Sequence, residues 1–234
     1  MSTSDLQPSK LGSKEHWDQV YENELENFQE HGDEGEIWFG VESVDKMVKW
    51  ALEHVPPSQN PCTLEVGSGN GTLLFALVDA GYDGSRLCGI DYSADAVKLA
   101  RAIAATTDAG DSVTFAECDF LTGDPPRISP DTQLDVWDLI LDKGTFDAIA
   151  LGEKEEGGKS PAARYPGRAA RLLKPGGSFL ITSCNFTEDE LQASFETPET
   201  GLKYHSRIQH RTFTFGGKSG SSCSSVAFIK PPIL

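Results

Sequence analysis

Two hydrophobic rhythms divide this chain. The first is helical: Trp17, Val20, Tyr21, Leu25 and Phe28 recur at three- and four-residue intervals behind Ser13. That spacing, with serine as a cap, predicts a helix from Lys14 toward Phe28. Gly32 and Gly35 interrupt it, and Ile37-Trp38-Phe39-Gly40 is an apolar knot among acidic residues. A second helix is expected over Ser43 to Glu53, stopped by Pro56-Pro57. Short apolar runs then alternate with amphipathic stretches. Strands are expected at 62–66, 86–91, 112–117, 136–141 and 178–183, and helices at 72–81, 94–106, 161–173 and 187–195. Lys174-Pro175-Gly176-Gly177 reads as a stop and turn, and Gly123 to Leu134, with three prolines, as an irregular connection. Two final strands, about 206–214 and 223–230, flank Gly216 to Ser222 and should pair antiparallel.

Alternating β and α units imply an α/β fold: a doubly wound, mostly parallel sheet with helices on both faces and an antiparallel edge hairpin. A length of 234 residues suits one such domain. Residues 1–12 read as a loose polar tail, 13–58 as an N-terminal helical cap or lid, and 59–234 as the α/β core.

Composition narrows the function classes. Acidic residues outnumber basic ones 36 to 20, for a net charge of −16. Such a surface disfavours nucleic acid, whose binding rests on Lys and Arg contacts to phosphate. It favours a basic protein partner. The segment Glu15 to Glu36 carries nine carboxylates, with Lys14 beside it as its one cation. No apolar run reaches the length of a membrane helix, and Met1-Ser2-Thr3-Ser4-Asp5 has no apolar signal core. Five scattered cysteines without C-x-x-C spacing fit a reduced, cytoplasmic setting and no metal site.

The chemistry is expected at the carboxyl ends of the strands, where open α/β sheets bind ligands. The first strand runs into Glu65-Val66-Gly67-Ser68-Gly69-Asn70-Gly71, a G-x-G-x-G turn rather than the G-x-G-x-x-G of a dinucleotide site. Its amides and the following helix N-terminus suit a carboxylate, and Glu65 suits a cation. The second strand ends in Asp91-Tyr92, with Asp91 placed to accept from two ribose hydroxyls or to open the turn before Ser93. The third ends near Asp119-Phe120, an acid for an adenine amino group and a ring to pack on it, unless Phe120 belongs to the core. Together these point to S-adenosylmethionine, bound by Glu65, Gly67, Ser68, Gly69, Asn70, Gly71, Asp91, Tyr92, Asp119, Phe120 and Asp142. The fourth strand ends in Asp142-Lys143-Gly144-Thr145-Phe146-Asp147, beside the expected methyl group. Asp142 is the candidate catalytic carboxylate, orienting an acceptor ammonium, or else a partner for Lys143. Trp38, Phe39, Lys143 and Phe146 are expected to face the acceptor. The missing Asn/Asp-Pro-Pro-aromatic run argues against DNA bases and glutamine amides.

On these residues the chain resembles the class I, seven-β-strand methyltransferases. More closely it is similar to the lysine methyltransferases of translation elongation factor 1-alpha. Four blocks carry the resemblance: Leu11 to Asp18 with Glu24–Phe28 and Gly32–Gly40; the glycine turn through Asp91; Leu139–Ile149; and Phe215–Gly220. It implies a Rossmann-like methyltransferase fold with a seven-stranded sheet, and a monomeric cytoplasmic enzyme. It also implies S-adenosylmethionine as donor and a lysine of elongation factor 1-alpha as acceptor. A small-molecule methyltransferase would share the donor half of the site.

Overall fold

A computed structural model of the chain describes residues 6–107, 112–128, 137–215 and 218–232. Residues 1–5 of the expected tail, the stretch 129–136 with Val136, and Gly216-Gly217 lie outside these. Two helices lead: α1 (Lys14–His31) and α2 (Gly40–His54). The core follows as β1 (Thr63–Val66), α3 (Thr72–Asp79), β2 (Leu87–Asp91), α4 (Ala94–Ala104), β3 (Thr114–Glu117), β4 (Trp137–Lys143), α5 (Thr145–Ala150), α6 (Tyr165–Leu172), β5 (Leu173–Ser183) and α7 (Glu188–Phe195). It closes with β6 (Lys203–Ile208), β7 (Thr212–Phe215), β8 (Lys218–Ser221) and β9 (Ser224–Ile229). Seven strands form one sheet in the order β3-β2-β1-β4-β5-β9-β6. The first five are parallel, and β9 runs antiparallel between β5 and β6.

The pleat sorts side chains between two layers, because successive residues of a strand point to opposite faces. Leu64, Val66, Ile90, Ile140, Phe179 and Ile181 face a layer made with α6 and α7, where Tyr165, Ala169, Leu191 and Phe195 are buried. Leu87, Leu139, Leu141 and Leu180 face the other layer, with Met47 and Trp50 of α2, Leu73 and Leu77 of α3, and Ala100 of α4. Burial on both faces explains why β1, β2 and β4 read as continuous apolar runs. Helix α1 sits outside the second layer, laying Trp17, Tyr21, Leu25 and Phe28 on Ala96, Leu99 and Ile103 of α4. Ser13 caps it by accepting from His16 N–H (3.3 Å), and Gly32, at φ 73°, ends it.

Four expectations change. The tail is anchored where it is described: Ser9 N–H donates to the Leu151 carbonyl (3.0 Å), and Leu6 packs on the core. The turn at 174–177 lies inside β5, as an irregularity in the β4–β5 pairing. Leu173 pairs with Trp137, and pairing resumes at Ser178 with Leu139. Helix α5 went unpredicted, because its six residues continue the apolar run of β4 without a change of period long enough to read. The expected final hairpin exists as β6 with β9, while the sequence between them folds into a separate two-stranded ribbon, β7–β8.

Phe146, expected at the acceptor, is a core residue. It is fully buried, with ring centroids of Tyr165, Phe186 and Phe195 at 5.2, 5.0 and 5.1 Å. The substitution Phe146→Ala should therefore lower the unfolding free energy by about 3–5 kcal/mol. Urea denaturation measures it; a variant as stable as the parent would return Phe146 to the acceptor surface.

Candidate active site

The glycine turn connects β1 to α3 and folds back over its neighbours. Gly67 has φ 65°, and a Cβ there would overlap Thr145 Oγ1, which donates to the Val66 carbonyl (2.7 Å). This glycine lets the start of α5 close onto the turn. Gly69 has φ 52°, and its missing side chain leaves the space below the Tyr21 hydroxyl. Asn70 braces the turn from both sides: its Nδ2 donates to the Glu34 carbonyl (2.9 Å), and its Oδ1 accepts from Thr72 Oγ1 (2.8 Å). Gly71 caps α3.

Glu65 lies opposite Leu141 and Gly89 in the sheet, on the face covered by the N-terminal segment. It is 1 % exposed, and its Oε2 has no hydrogen-bond partner. Burial drives its carboxyl well above the usual range; nearby Lys143 offsets part of that rise, and Asp142 and Asp91 add to it. An orphaned buried carboxylate is unfavourable unless something cationic meets it. Lys143 shares the neighbourhood, but its Nζ donates to the Trp38 carbonyl (3.2 Å), and burial lowers its pKa. It braces the N-terminal segment at Trp38.

Asp91 closes β2. Its Oδ2 accepts from Gly69 N–H (3.1 Å) and its Oδ1 from Ser93 N–H (3.0 Å), so it opens the turn and holds the glycine loop at once. Burial pushes it up to about 6. Tyr92, half-buried beside it, donates to the Ser13 carbonyl (3.4 Å), with Lys14 Nζ 5.5 Å from its ring centroid. Asp119 is exposed beyond β3 and accepts from Leu121 N–H (2.9 Å) and Thr122 Oγ1 (2.7 Å). Phe120 is core: its ring lies 4.6 Å from that of Tyr165, and the Arg168 guanidinium stands 5.8 Å away. It does not offer a face to a ligand ring.

The largest correction concerns Asp142. It is fully buried on the sheet face opposite Glu65, toward α5 and α6. Its oxygens accept from Thr145 N–H (2.9 Å), Phe146 N–H (3.0 Å) and the Tyr165 hydroxyl. A carboxylate at the N-terminus of a helix is favoured by the free amides there. Burial nevertheless pushes it up to about 7, against the lowering effect of Tyr165. Asp142 is an internal clamp on α5, with no oxygen turned to an acceptor.

Trp38 and Phe39 are half-buried over the other side of this loop. Phe39 has φ 64°, a region phenylalanine rarely adopts. A Cβ on Gly144 would lie 3.0 Å from its ring, so the ring rests on bare backbone. Trp17 holds Trp38 from the α1 side, with ring centroids 4.9 Å apart. Sequence reasoning missed Tyr21. Its helical spacing marks it as core, and nothing local shows that its hydroxyl reaches the glycine turn.

The set suits S-adenosylmethionine. Orphaned Glu65 Oε2 and Ser68 Oγ, beside the glycine turn, match a ligand carrying an ammonium and other polar groups.

Two measurements test these assignments. Asp142→Ala strands two amides and a hydroxyl, so it should destabilise the fold by about 3 kcal/mol or more. A melting temperature equal to the parent's would contradict the clamp. Glu65, raised above the ordinary carboxylate range, keeps its proton near neutral pH in the free protein. A ligand ammonium favours the ionised form, so binding S-adenosylhomocysteine at pH 7 should release a proton and tighten as pH rises. Calorimetry in buffers of different ionisation enthalpy reads the release; a signal unchanged in Glu65→Gln would reject Glu65 as its source.

Comparison with known proteins bears on the fold and the family. Residues 58–219 match a family described as a methyltransferase domain. The chain is 41% identical to a fission yeast (Schizosaccharomyces pombe) protein-lysine N-methyltransferase, efm4, across 98% of each chain. It is 39% identical to human EEF1A lysine methyltransferase 2, covering 95% of this chain and 88% of that one. Among solved structures, the N-methyltransferase NodS from Bradyrhizobium japonicum, in complex with S-adenosylhomocysteine, aligns with a TM-score of 0.60. That match covers 92% of this chain and 98% of that one at 16% identity, a likeness of fold. With relatives this similar along its whole length, the chain belongs to the S-adenosylmethionine-dependent protein-lysine N-methyltransferases.

Proposed function

We propose that this enzyme methylates a lysine of translation elongation factor 1-alpha. The observation that carries the substrate is the near-complete match to a human protein whose name specifies EEF1A. When bound, S-adenosylmethionine supplies an electrophilic methyl group on its sulfonium. The residues around it have separable tasks. Glu65 receives the donor's ammonium, Asp91 the ribose hydroxyls, and Asp119 the adenine amino group from the rim. Trp38 and Phe39 border the acceptor side, where aromatic walls exclude water around an incoming side chain.

A lysine ammonium, with a reference pKa near 10.4, needs about 4–5 kcal/mol to give up its proton at neutral pH. With Asp142 committed to α5, that proton leaves to water, and exclusion of further water favours the neutral amine once it is seated. The exposed acids of the N-terminal segment, Glu15, Glu22, Glu26 and Glu30 on α1 and Asp33, Glu34 and Glu36 beyond it, form a negative field beside this entrance. Such a field speeds the encounter with a basic partner more than it strengthens the final complex.

Incubation of the enzyme with elongation factor 1-alpha and labelled donor should place methyl groups on a lysine, located by peptide mass spectrometry. The rate should fall as salt rises. Donor binding without transfer to the factor would sink the substrate assignment, and turnover of a small amine alone would favour a small-molecule methyltransferase.

A further inference from the structure

The glycine turn looks in sequence like a ready cradle for a carboxylate, yet several of its amides are engaged within the protein. Ser68 N–H donates to the Ile90 carbonyl (3.0 Å) and Gly71 N–H to the Ser68 carbonyl (2.8 Å). Gly69 N–H donates to Asp91 (3.1 Å), and Thr72 N–H to Asn70 Oδ1 (3.3 Å). The neighbouring cations are committed as well: Lys14 pairs with Asp18 (2.8 Å), and Lys143 donates to Trp38. With these groups engaged, a donor from another element would add to the hold on a ligand carboxylate here.

Tyr21 supplies one. It lies in the middle of α1, is 9 % exposed, and its hydroxyl is 2.5 Å from where a Cβ would stand on Gly69. No described residue takes a hydrogen bond from that hydroxyl. Burial, reinforced by Asp91, Glu24 and Glu65, holds it well above the ordinary tyrosine range, so it stays protonated and able to donate. The ribose side already has Asp91 as acceptor, and the ammonium has Glu65. The one remaining charged group of the donor's amino-acid end is its carboxylate.

We propose that the Tyr21 phenol donates a hydrogen bond to the α-carboxylate of S-adenosylmethionine, so that donor binding fastens α1 over the glycine turn. This rests on the reading that the turn holds that donor. It makes the acidic helix part of the cofactor site, and it links occupancy by donor to the face on which a basic partner would land.

The test is Tyr21→Phe, which keeps the ring and removes only the hydroxyl. Calorimetry would compare three probes: S-adenosylhomocysteine, its decarboxylated analogue, which keeps the ammonium, and 5′-methylthioadenosine, which lacks the whole amino-acid end. The variant should bind S-adenosylhomocysteine about tenfold more weakly or worse, the scale of one hydrogen bond to a charged group. It should bind the other two as the parent does, and melt at the parent's temperature without ligand. Undiminished affinity for S-adenosylhomocysteine would overturn the proposal, as would equal losses for all three probes, which mark a packing role. A parent chain that binds none of the three would instead overturn the donor site itself.

Discussion

The site depends on the pleat at the carboxyl ends of β1 and β4. Alternate side chains of a strand must leave on opposite faces, and the register pairs Val66 with Asp142 and Glu65 with Leu141. Glu65 and Lys143 therefore emerge on the face beneath the N-terminal segment, while Asp142 emerges on the face of α5 and α6. Two carboxylates of similar burial thus receive opposite assignments. Asp142 finds two amides and a phenol and becomes part of the scaffold. Glu65 is left with an oxygen that nothing in the described protein satisfies. A polar atom left bare in a native interior calls for an explanation, and beside the glycine turn a ligand cation supplies one.

The N-terminal segment completes the enclosure from the other side. It is joined to the core through Asn70 with Glu34, Lys143 with Trp38, Tyr92 with Ser13, and the Phe39 ring on Gly144. The sequence blocks Gly32–Gly40 and Asp142–Phe146, far apart in the chain, thus meet in one contact. Neither makes sense alone: Phe39 occupies a rarely populated backbone region, and Gly144 leaves a bare backbone beside it. In contact, each explains the other. The same arrangement lays Tyr21 of α1 against Gly69 of the glycine turn.

Much of the architecture was legible because its signals are local. Periodicity located both leading helices and the five parallel strands to within a few residues. Ser13, Gly32 and the G-x-G-x-G turn mark boundaries through capping and backbone conformation. The misread elements are those where local signals conflict. Lys174-Pro175-Gly176-Gly177 has the chemistry of a turn, and it is one, but inside a strand that resumes pairing beyond it. Helix α5 is too short to establish a period, and the β7–β8 ribbon joins the end of one expected strand to a stretch where glycine and serine suggest only a connection.

By itself, then, the sequence determined the order of the main elements, the acidic surface, the glycine turn and the family. These follow from spacing and composition, which a chain carries before it folds. Only the tertiary structure decided what each polar side chain does, because that depends on which face its strand presents and what has packed there. Asp142, the most conspicuous acid at the acceptor end, is held inside by α5 and α6. Tyr21, indistinguishable in sequence from the apolar stripe around it, stands with its hydroxyl over Gly69.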